Sequence, residues 1–380
     1  MKQYINYFFL IFLATTGLNA QNWTDALPHD RNVVLEEFTG IRCGFCPDGH
    51  RIAHEIDSAN TGRVVVIGIH TGSYAVPSSG SQPDFQTQWG SSISGMSSLT
   101  GYPSGMVNRS VFPDYSSNGS GGKAMGRFQW EDASNIILNS GDTAGVNIGV
   151  RSLWDESTRT LSIDVELYYV KDYQHYNKLT VALLQNNIEG YQGGSSHNPS
   201  QIMPNGDYNH MHVLRDLITG VEANSWSGIK IDSVNAGNLV THHFDYVVAS
   251  DLNSIPIDIE NCELAVFVTE WLNSPIITGV KLNAKNDSTT APAPQNTHNY
   301  LAISKPLQVY PNPSNGEVIF DLVSNTKGKI IIWDLLGNIV LQKSITNRKT
   351  KVNTKGLNSG LYLYKLKTDK TSYSGKIMVR

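Results

Sequence analysis

The sequence is poor in cysteine and lacks a long apolar segment. Only 3 of its 380 residues are cysteine, too few for a framework stapled by many disulfides, so packed cores must stabilise the fold. No segment approaches the roughly 20 consecutive apolar residues of a transmembrane helix, and none is therefore expected. A hydrophobic content of 40% is ordinary for a globular protein, and the length allows two or three domains.

Motifs of several enzyme classes are also missing. The chain has no Gly-x-Ser-x-Gly sequence, no phosphate-binding loop and no His-Glu-x-x-His sequence, so neither hydrolase nor nucleotide chemistry is indicated. Motifs of the usual nucleic-acid-binding folds are absent as well. We therefore predict no cofactor and no nucleic-acid partner.

The net charge of −4 is small, but it is unevenly distributed. Residues 304–380 carry 13 Lys and Arg against 4 Asp and Glu, whereas the preceding residues carry 16 against 29. This asymmetry indicates a basic C-terminal module with its own partner, such as an anionic surface or a transport machine. Lysines that alternate with apolar residues are equally consistent with a solvated sheet face.

The first 20 residues have the pattern of a cleavable secretory signal. One lysine precedes an apolar run at 7–13, and the small residue Ala20 stands before Gln21. Because no cysteine follows the cleavage region, a lipid anchor is not expected. We predict an exported protein, at the cell surface or extracellular, in an environment where a disulfide can persist.

Two cysteines stand three residues apart directly after a strand-like segment. Residues 33–38 are mostly apolar, Cys43 and Cys46 follow, and a helix is predicted over residues 43–59. A cysteine at a helix N-terminus is exposed to unpaired N–H groups and to the positive end of the helix dipole, which stabilise its thiolate. The pattern predicts a thiol–disulfide site in which Cys43 attacks and Cys46 resolves the mixed disulfide.

The segment around these cysteines has the order of a parallel βαβ unit. A second apolar strand is predicted at 63–70, which places the CxxC sequence at the first strand-to-helix junction. Glu37 lies six residues before Cys43, and Gly-Tyr-Pro stands at 101–103. Together these features resemble the thioredoxin-like superfamily, so we predict an α/β thioredoxin-like domain at residues 21–142.

The resemblance implies roles for residues around Cys46. It implies that Pro103 is cis and faces the cysteines, and that the buried Glu37 carboxyl relays a proton to Cys46. Arg42 replaces the tryptophan usual before the first cysteine, and its charge is expected to favour the thiolate. His70 ends the neighbouring strand at the same sheet edge, where it either tunes the thiolate or serves as a capping or surface residue.

A metal site is an alternative use of the same helix. Cys46 and His50 are four residues apart and would share a helical face, and Cys43 could supply a third ligand. No fourth ligand is evident, and a solvated histidine on a helix is common. We therefore predict no metal.

Residues 143–282 contain short apolar or alternating runs separated by turn residues, which predicts a β-sandwich domain. A long polar connection at 186–229 carries His210, His212 and Arg215. The two histidines would lie on one side of a strand and, with Arg215, could bind a metal or an anionic ligand. The other interpretation is structural, with these side chains fixing the loop on the sandwich.

Three features together resemble the 28-kilodalton outer membrane protein family of Bacteroidetes. They are the Glu-Glu-Phe-Thr-Gly-x-x-Cys-Gly-x-Cys-Pro sequence at 36–47, the order of the two predicted domains, and the His-x-His-Val-Leu-Arg sequence at 210–215. The resemblance covers residues 24–282 and indicates a family without defining an activity.

A polar linker at 283–303 precedes a C-terminal module at 304–380. Tyr-Pro-Asn-Pro at 310–313, a Leu-Leu-Gly-Asn turn at 335–338 and the terminal strand at 375–380 resemble, in their order, the type A C-terminal sorting domain of the type IX secretion system. The resemblance implies a small immunoglobulin-like β-sandwich, recognition by the type IX secretion machinery, and export across the outer membrane.

Two functions of different classes remain open. In the first, Cys43 and Cys46 exchange disulfides with the thiols or disulfides of exported proteins. In the second, the protein is a non-enzymatic surface-binding or adhesion protein, and the Cys43–Cys46 pair is a structural disulfide. Cys262 has no obvious partner and is predicted to be a buried, inert thiol.

Overall fold

The computed structural model describes residues 24–119, 121–271, 275–289, 307–322, 327–335, 337–368 and 372–380. The predicted signal segment at 1–20 lies outside these residues. The chain forms two compact units, Met1–Ala293 and Pro294–Arg380. Within the described ranges, no helix combines the length and the apolar character needed to cross a membrane.

The helices of the first unit are short, apart from the helix that begins at Cys46. In the described residues they are α1 (Cys46–Ala59), α2 (Gly90–Gly95), α3 (Trp130–Leu138) and α4 (Ile218–Ala223). The predicted start of α1 at Cys43 is wrong by three residues. Cys43 instead lies in a turn, in which its backbone N–H donates to the Gly40 carbonyl at 3.0 Å.

The first unit is mainly β-structure. Its strands are, in chain order, β1 (Val33–Thr39), β2 (Val64–His70), β3 (Ser104–Val107), β4 (Met125–Gly126), β5 (Val146–Asp155), β6 (Thr160–Tyr169), β7 (Asn177–Gln185), β8 (Ile188–Gly190), β9 (Tyr208–His210), β10 (Val213–Leu217), β11 (Ile229–Ile231), β12 (Leu239–Val247), β13 (Asp251–Leu252), β14 (Ile255–Pro256), β15 (Cys262–Thr269) and β16 (Ile276–Asn283).

A nine-stranded mixed sheet organises this unit. Its order is β16-β15-β7-β10-β2-β1-β3-β4, with β11 paired to β7. Strands β1 and β2 are parallel, and β10 joins β2 to the antiparallel strand β7. The sheet therefore takes strands from both sides of the predicted boundary at 142/143, and that division is not a break in the sheet. The division of residues 21–282 into two domains stays a prediction.

Both faces of strands β1 and β2 are covered, which accounts for their nearly continuous apolar sequences. On one face, Leu35 packs in a core with Ile56 of α1 and Trp130 of α3. On the other face, Val34 packs in a core with Ile93 of α2 and with residues of β15. A separate three-stranded sheet of order β12-β6-β5 shares a third core with strands β7 and β15.

The region between β7 and β11 is not the long loop that its polar sequence predicted. It contains β8, β9, β10, α4 and two 3₁₀ turns, Ser195–His197 and Pro199–Gln201. Strand β10 was not predicted from the sequence, because a charged residue occupies one of its buried positions. Arg215 is buried there, and its Nη2 donates to the Ile255 carbonyl at 2.9 Å.

The second unit is formed by strands alone in its described residues. They are β17 (Leu307–Tyr310), β18 (Glu317–Leu322), β19 (Gly328–Trp333), β20 (Ile339–Ile345), β21 (Lys349–Asn353), β22 (Gly360–Thr368) and β23 (Ser372–Val379). Two sheets, β17-β18-β21 and β20-β19-β22-β23, share one apolar core. The unit begins at Pro294, within the predicted linker, and the linker residues 290–303 lie outside the described part of the chain.

Candidate functional site

Cys43 and Cys46 form a disulfide between the end of β1 and the start of α1. Cys46 is the first residue of the helix, whereas Cys43 lies in the preceding turn. Both side chains are buried, with Cys43 3% and Cys46 0% exposed. The pair therefore lies at a strand-to-helix junction, and both cysteine residues are largely shielded from solvent.

Glu37 and Pro103 approach the first turns of the same helix. A Cβ atom placed on Gly49 would lie 2.7 Å from Glu37 Oε1 and 3.1 Å from Pro103 Cβ. The Tyr102–Pro103 peptide bond is cis. Burial raises the pKa of Glu37 well above its ordinary value, because the charged form loses its hydration. The helical turn that follows Cys46 thus has a buried carboxyl group with a raised pKa on its inner side.

His50 follows Gly49 in α1, and its imidazole ring lies near the Glu37 carboxyl. Its Nε2 lies 2.9 Å from Thr39 Oγ1 and 3.7 Å from Glu37 Oε1, and its Nδ1 lies 3.0 Å from Tyr208 Oη. Asn198 Nδ2 also donates to Tyr208 Oη at 3.0 Å. Burial, helped by nearby histidines, lowers the pKa of His50 to about 3, so its imidazole is neutral.

A small cavity beside these groups brings two further histidines together. Its volume is about 30 Å³, and its lining includes Glu37, His50, His70 and His210. The rings of His70 and His210 lie 5.9 Å apart, and Phe85 packs on both. Such a volume suits a water-sized molecule and is far below that of an organic ligand site.

His70 lies at the sheet edge where the sequence placed it, but its surroundings are histidine and phenylalanine rings. Its two ring nitrogens make no hydrogen bond within the described structure. Burial lowers the pKa of His70 well below its ordinary value, with smaller contributions from His210, His50 and Arg215. The alternative of a surface or capping residue is wrong, since His70 is only 4% exposed. Its effect on the cysteine thiolate stays a prediction.

His210 and His212 do not share one face of a strand, contrary to the sequence prediction. His210 ends β9 and is buried, whereas His212 lies between two strands with a positive φ of 53°. His212 Nδ1 is 3.2 Å from Glu263 Oε2. Arg215 belongs to β10 and donates to backbone carbonyls, and burial lowers its pKa to about 10. His212 and the Arg215 Nη2 atom therefore make their polar contacts within the protein.

Arg42 is exposed and makes contacts on one side of the cysteine turn. Its Nη2 donates to the Ser73 carbonyl at 2.6 Å and its Nη1 to Ser78 Oγ at 3.1 Å. These bonds hold the guanidinium beside the turn. Its influence on a Cys43 thiolate stays a prediction.

Part of the chain between β8 and β9 lies directly on the cysteine turn. The sequence analysis did not predict this contact. Gln192 Nε2 donates to the carbonyl oxygens of Gly40 and Cys43, each at 3.2 Å. The Gly193 N–H donates to the Ile41 carbonyl oxygen at 2.6 Å. The glycine pair at 193–194 was the available signal, because consecutive glycines permit close backbone approach. We call residues 192–197 the cover segment.

The Cys262 thiol is buried and poorly suited to disulfide exchange. Its side chain is 2% exposed, and its thiol donates to the Asp258 carbonyl at 3.2 Å. Burial raises its pKa to about 12, so the reactive thiolate is disfavoured. Over the described ranges, no group of three or more His, Cys, Asp or Glu side chains is arranged to hold a metal ion.

Solved structures of bacterial proteins are similar to this chain at low identity. HBP35 of Porphyromonas gingivalis is 17% identical, with 92% of this chain and 99% of that chain covered and a TM-score of 0.48. A domain of the outer membrane lipoprotein Omp28 from the same organism is 16% identical, with 37% and 89% covered and a TM-score of 0.25. No curated protein matches the sequence.

Two family models match the chain. The secretion system C-terminal sorting domain matches residues 308–380. The family described as outer membrane protein Omp28 matches residues 92–286, just over half of the chain, and this match begins after the two cysteines. The chain therefore belongs to the Omp28 outer membrane protein family, and its type IX sorting domain makes it an exported protein of the cell surface or the extracellular space.

Proposed function

We propose that the protein carries out thiol–disulfide exchange on other exported proteins, with Cys43 and Cys46 as the exchanging pair. The observation that carries the proposal is the convergence of Glu37 and Pro103 on Gly49, one turn after Cys46. This is the arrangement that a thioredoxin-like domain at 21–142 would have.

The disulfide form has the groups needed to oxidise a substrate dithiol. A substrate thiolate attacks the Cys43 sulfur, a substrate–Cys43 disulfide bond forms, and Cys46 leaves as a thiolate. The Glu37 carboxyl, whose pKa is raised by burial, gives its proton to the Cys46 sulfur. A second substrate thiolate then attacks the substrate sulfur and expels Cys43. The substrate loses two electrons and becomes a disulfide, while the cysteine pair gains two.

Access to Cys43 sets a condition on this chemistry. The Cys43 side chain is 3% exposed, and Gln192 of the cover segment is hydrogen-bonded to its carbonyl oxygen. A protein thiolate needs an open line of approach to the attacked sulfur. The groups that bury Cys43 must therefore open, and we infer that the cover segment, which is bonded to the cysteine turn, moves with them.

The same burial favours a second function. Both sulfurs are enclosed, and structural disulfides are typically enclosed and resistant to reduction. In that case the disulfide stabilises a surface-binding protein, and the β-rich remainder contacts the ligand. The two functions differ in the redox properties that they require of the cysteine pair.

The reduction potential of the intact purified protein separates the two. Equilibration with dithiothreitol or glutathione buffers should give a value of roughly −120 to −270 mV for an exchanging pair, and a value below about −300 mV for a structural disulfide. Cys43→Ser should abolish oxidation of a model dithiol, whereas Cys262→Ser, the matched control, should retain it. Equal activity of the wild type and Cys43→Ser would exclude the proposed exchange.

A further inference from the structure

The four-stranded sheet of the second unit, β20-β19-β22-β23, has one face on the core and one face open to solvent. Ile330 and Ile332 of β19 and Leu366 of β22 are buried in the core. Because side chains alternate along a strand, their neighbours in sequence lie on the other face. We call that outer surface the lysine face, and its exposed side chains include Lys329, Leu363, Lys365, Lys367, Lys376 and Met378.

The lysine face carries positive charge that no acidic side chain of its sheet balances. The four strands contain no Asp or Glu, and within the described residues none of the four lysines of this face forms an ion pair. Lys329 and Lys367 stand directly opposite each other on neighbouring strands, an arrangement that destabilises a sheet. On the other sheet, by contrast, Lys351 pairs with Glu317 at 3.1 Å. The lysine face is therefore complementary in charge to an anionic partner.

The polarity of this face changes along its strands. Lys329 lies opposite Lys367 at one end, whereas Trp333 lies opposite Leu363 four residues further along β19. In the turn that follows β19, Leu335 is 66% exposed. The face therefore has a cationic end and an apolar end. Segments that lie on membrane surfaces have the same division, with lysine on the polar side and tryptophan and leucine on the apolar side.

We propose that the lysine face binds an anionic lipid bilayer, with its apolar end at the boundary of the acyl chains and its lysines among the phosphate groups. The proposal does not depend on the chemistry of the cysteine pair. Charge alone would also fit an acidic protein surface. The exposed apolar end favours lipid, because a bilayer accepts Trp333 and Leu335 without a pocket of matching shape.

The spacing of the side chains agrees with this orientation. A strand advances about 3.3 Å per residue, which places Lys365 about 7 Å from Leu363 along β22. The headgroup layer on each side of a bilayer is about 5–7 Å thick. Lys376 lies opposite Leu363, and its long side chain can extend to the phosphates. Asp334 and Arg380 are charged residues at the apolar end, so we expect this end to enter no further than the headgroup boundary.

The test measures co-sedimentation of residues 21–380 with lipid vesicles, since the predicted signal segment would itself bind lipid. We expect binding to mixed phosphatidylglycerol and phosphatidylcholine vesicles, little binding to phosphatidylcholine alone, and loss of binding at high salt. A lysine near an anionic bilayer contributes about fivefold in affinity, so Lys365→Gln/Lys367→Gln should bind about 25-fold more weakly. Lys349→Gln/Lys351→Gln, the matched control, removes the same charge from the other sheet and should change binding about threefold at most.

A second pair of variants tests the apolar end. Leu335→Ser should weaken vesicle binding about tenfold, because the leucine leaves water when the protein binds. Leu27→Ser is the control, since Leu27 is 59% exposed in the first unit, and it should bind like the wild type. Lipids brominated in their acyl chains should quench the tryptophan fluorescence of the wild type more than that of Trp333→Phe.

The contrary outcomes are distinct. Equal binding to neutral and anionic vesicles, or equal effects of the two lysine double variants, would overturn the proposal. An unchanged affinity in Leu335→Ser would overturn the placement of the apolar end. Binding to immobilised poly-glutamate but not to anionic vesicles would identify an acidic protein surface as the partner instead of lipid. Urea unfolding checks that the variants fold, and Lys367→Gln should not lower stability, because it removes the repulsion from Lys329. Should a variant not fold, quenching of the wild type by the brominated lipids decides, and its absence counts against the proposal.

Discussion

Gly194 lies so close to Gly44 that a Cβ atom on Gly194 would overlap the Gly44 carbonyl group. The two residues are far apart in sequence, and Gly44 lies between the disulfide-bonded cysteines. Gly194 also has a positive φ of 69°, which favours glycine. The cover segment is therefore fitted to the cysteine turn by backbone contact, which only glycine allows.

Gly194→Ala should open the cover segment and expose the disulfide. The added methyl group forces the backbone away from Gly44, at a cost of about 1–3 kcal/mol of stability. We expect dithiothreitol to reduce the disulfide severalfold faster. Gly206→Ala is the control, because Gly206 also has a positive φ but nothing within 4 Å of its Cβ position. Equal reduction rates in the two variants would show that the cover segment does not limit access.

Gly49→Ala should disturb the Glu37 carboxyl on the inner side of the helical turn that follows Cys46. The new methyl group would meet Glu37 Oε1 and the Pro103 ring, and we expect a loss of about 1–3 kcal/mol in unfolding free energy together with slower exchange. Gly95→Ala, in α2, has open space at its Cβ position and should be neutral or slightly stabilising. Urea unfolding and dithiol oxidation, measured on both variants, test the difference. An unchanged exchange rate in Gly49→Ala would contradict the expectation.

Glu36, in strand β1, forms a buried ion pair with Arg109. Arg109 Nε and Nη2 donate to the two carboxylate oxygens at 2.7 and 2.6 Å, and both side chains are 2% exposed. Glu36→Gln should cost about 3–5 kcal/mol, because it leaves an uncompensated buried charge. Glu55→Gln removes a partner of an exposed pair with Arg51 and should cost at most about 0.5 kcal/mol. Similar unfolding free energies for the two variants would refute this.

The buried histidines should make the protein less stable in acid. Burial lowers the pKa of His210 to about 4, whereas an unfolded histidine binds a proton below about 6.5. Between these values the unfolded state holds more protons, so unfolding free energy rises with pH, by about 1.4 kcal/mol per pH unit for one histidine. The raised pKa of Glu37 acts oppositely, since its contribution falls as pH rises above about 4.5.

His210→Phe should reduce this pH dependence by up to the contribution of one proton, because phenylalanine does not titrate. The measurement is urea unfolding at several pH values between 4 and 6.5. Tyr208→Phe is the control, since it changes the same cluster without removing a group that titrates in this range. A slope that is the same in His210→Phe and the wild type would show that folding does not lower the pKa of His210.

Local sequence patterns located the cysteine pair, the strands beside it and the C-terminal module. The apolar runs of β1 and β2 and the Cys-x-x-Cys spacing are properties of neighbouring residues, so they could be recognised without the fold, whereas the turn at Cys43 was predicted as helix. The sorting domain is also a series of short motifs, and a family model matches it at residues 308–380. Strand β10 could not be found in this way, because Arg215 interrupts its apolar pattern and is satisfied only by distant carbonyl groups.

The sequence by itself determined where a disulfide can form and that the protein is exported. Only the tertiary structure decided that the disulfide is covered and that His50, His70 and His210 meet beside Glu37. The physical reason is distance along the chain: the bond from Gln192 to the Cys43 carbonyl joins residues 149 positions apart. Such contacts depend on the order of the strands in the sheet, and local sequence patterns do not specify that order.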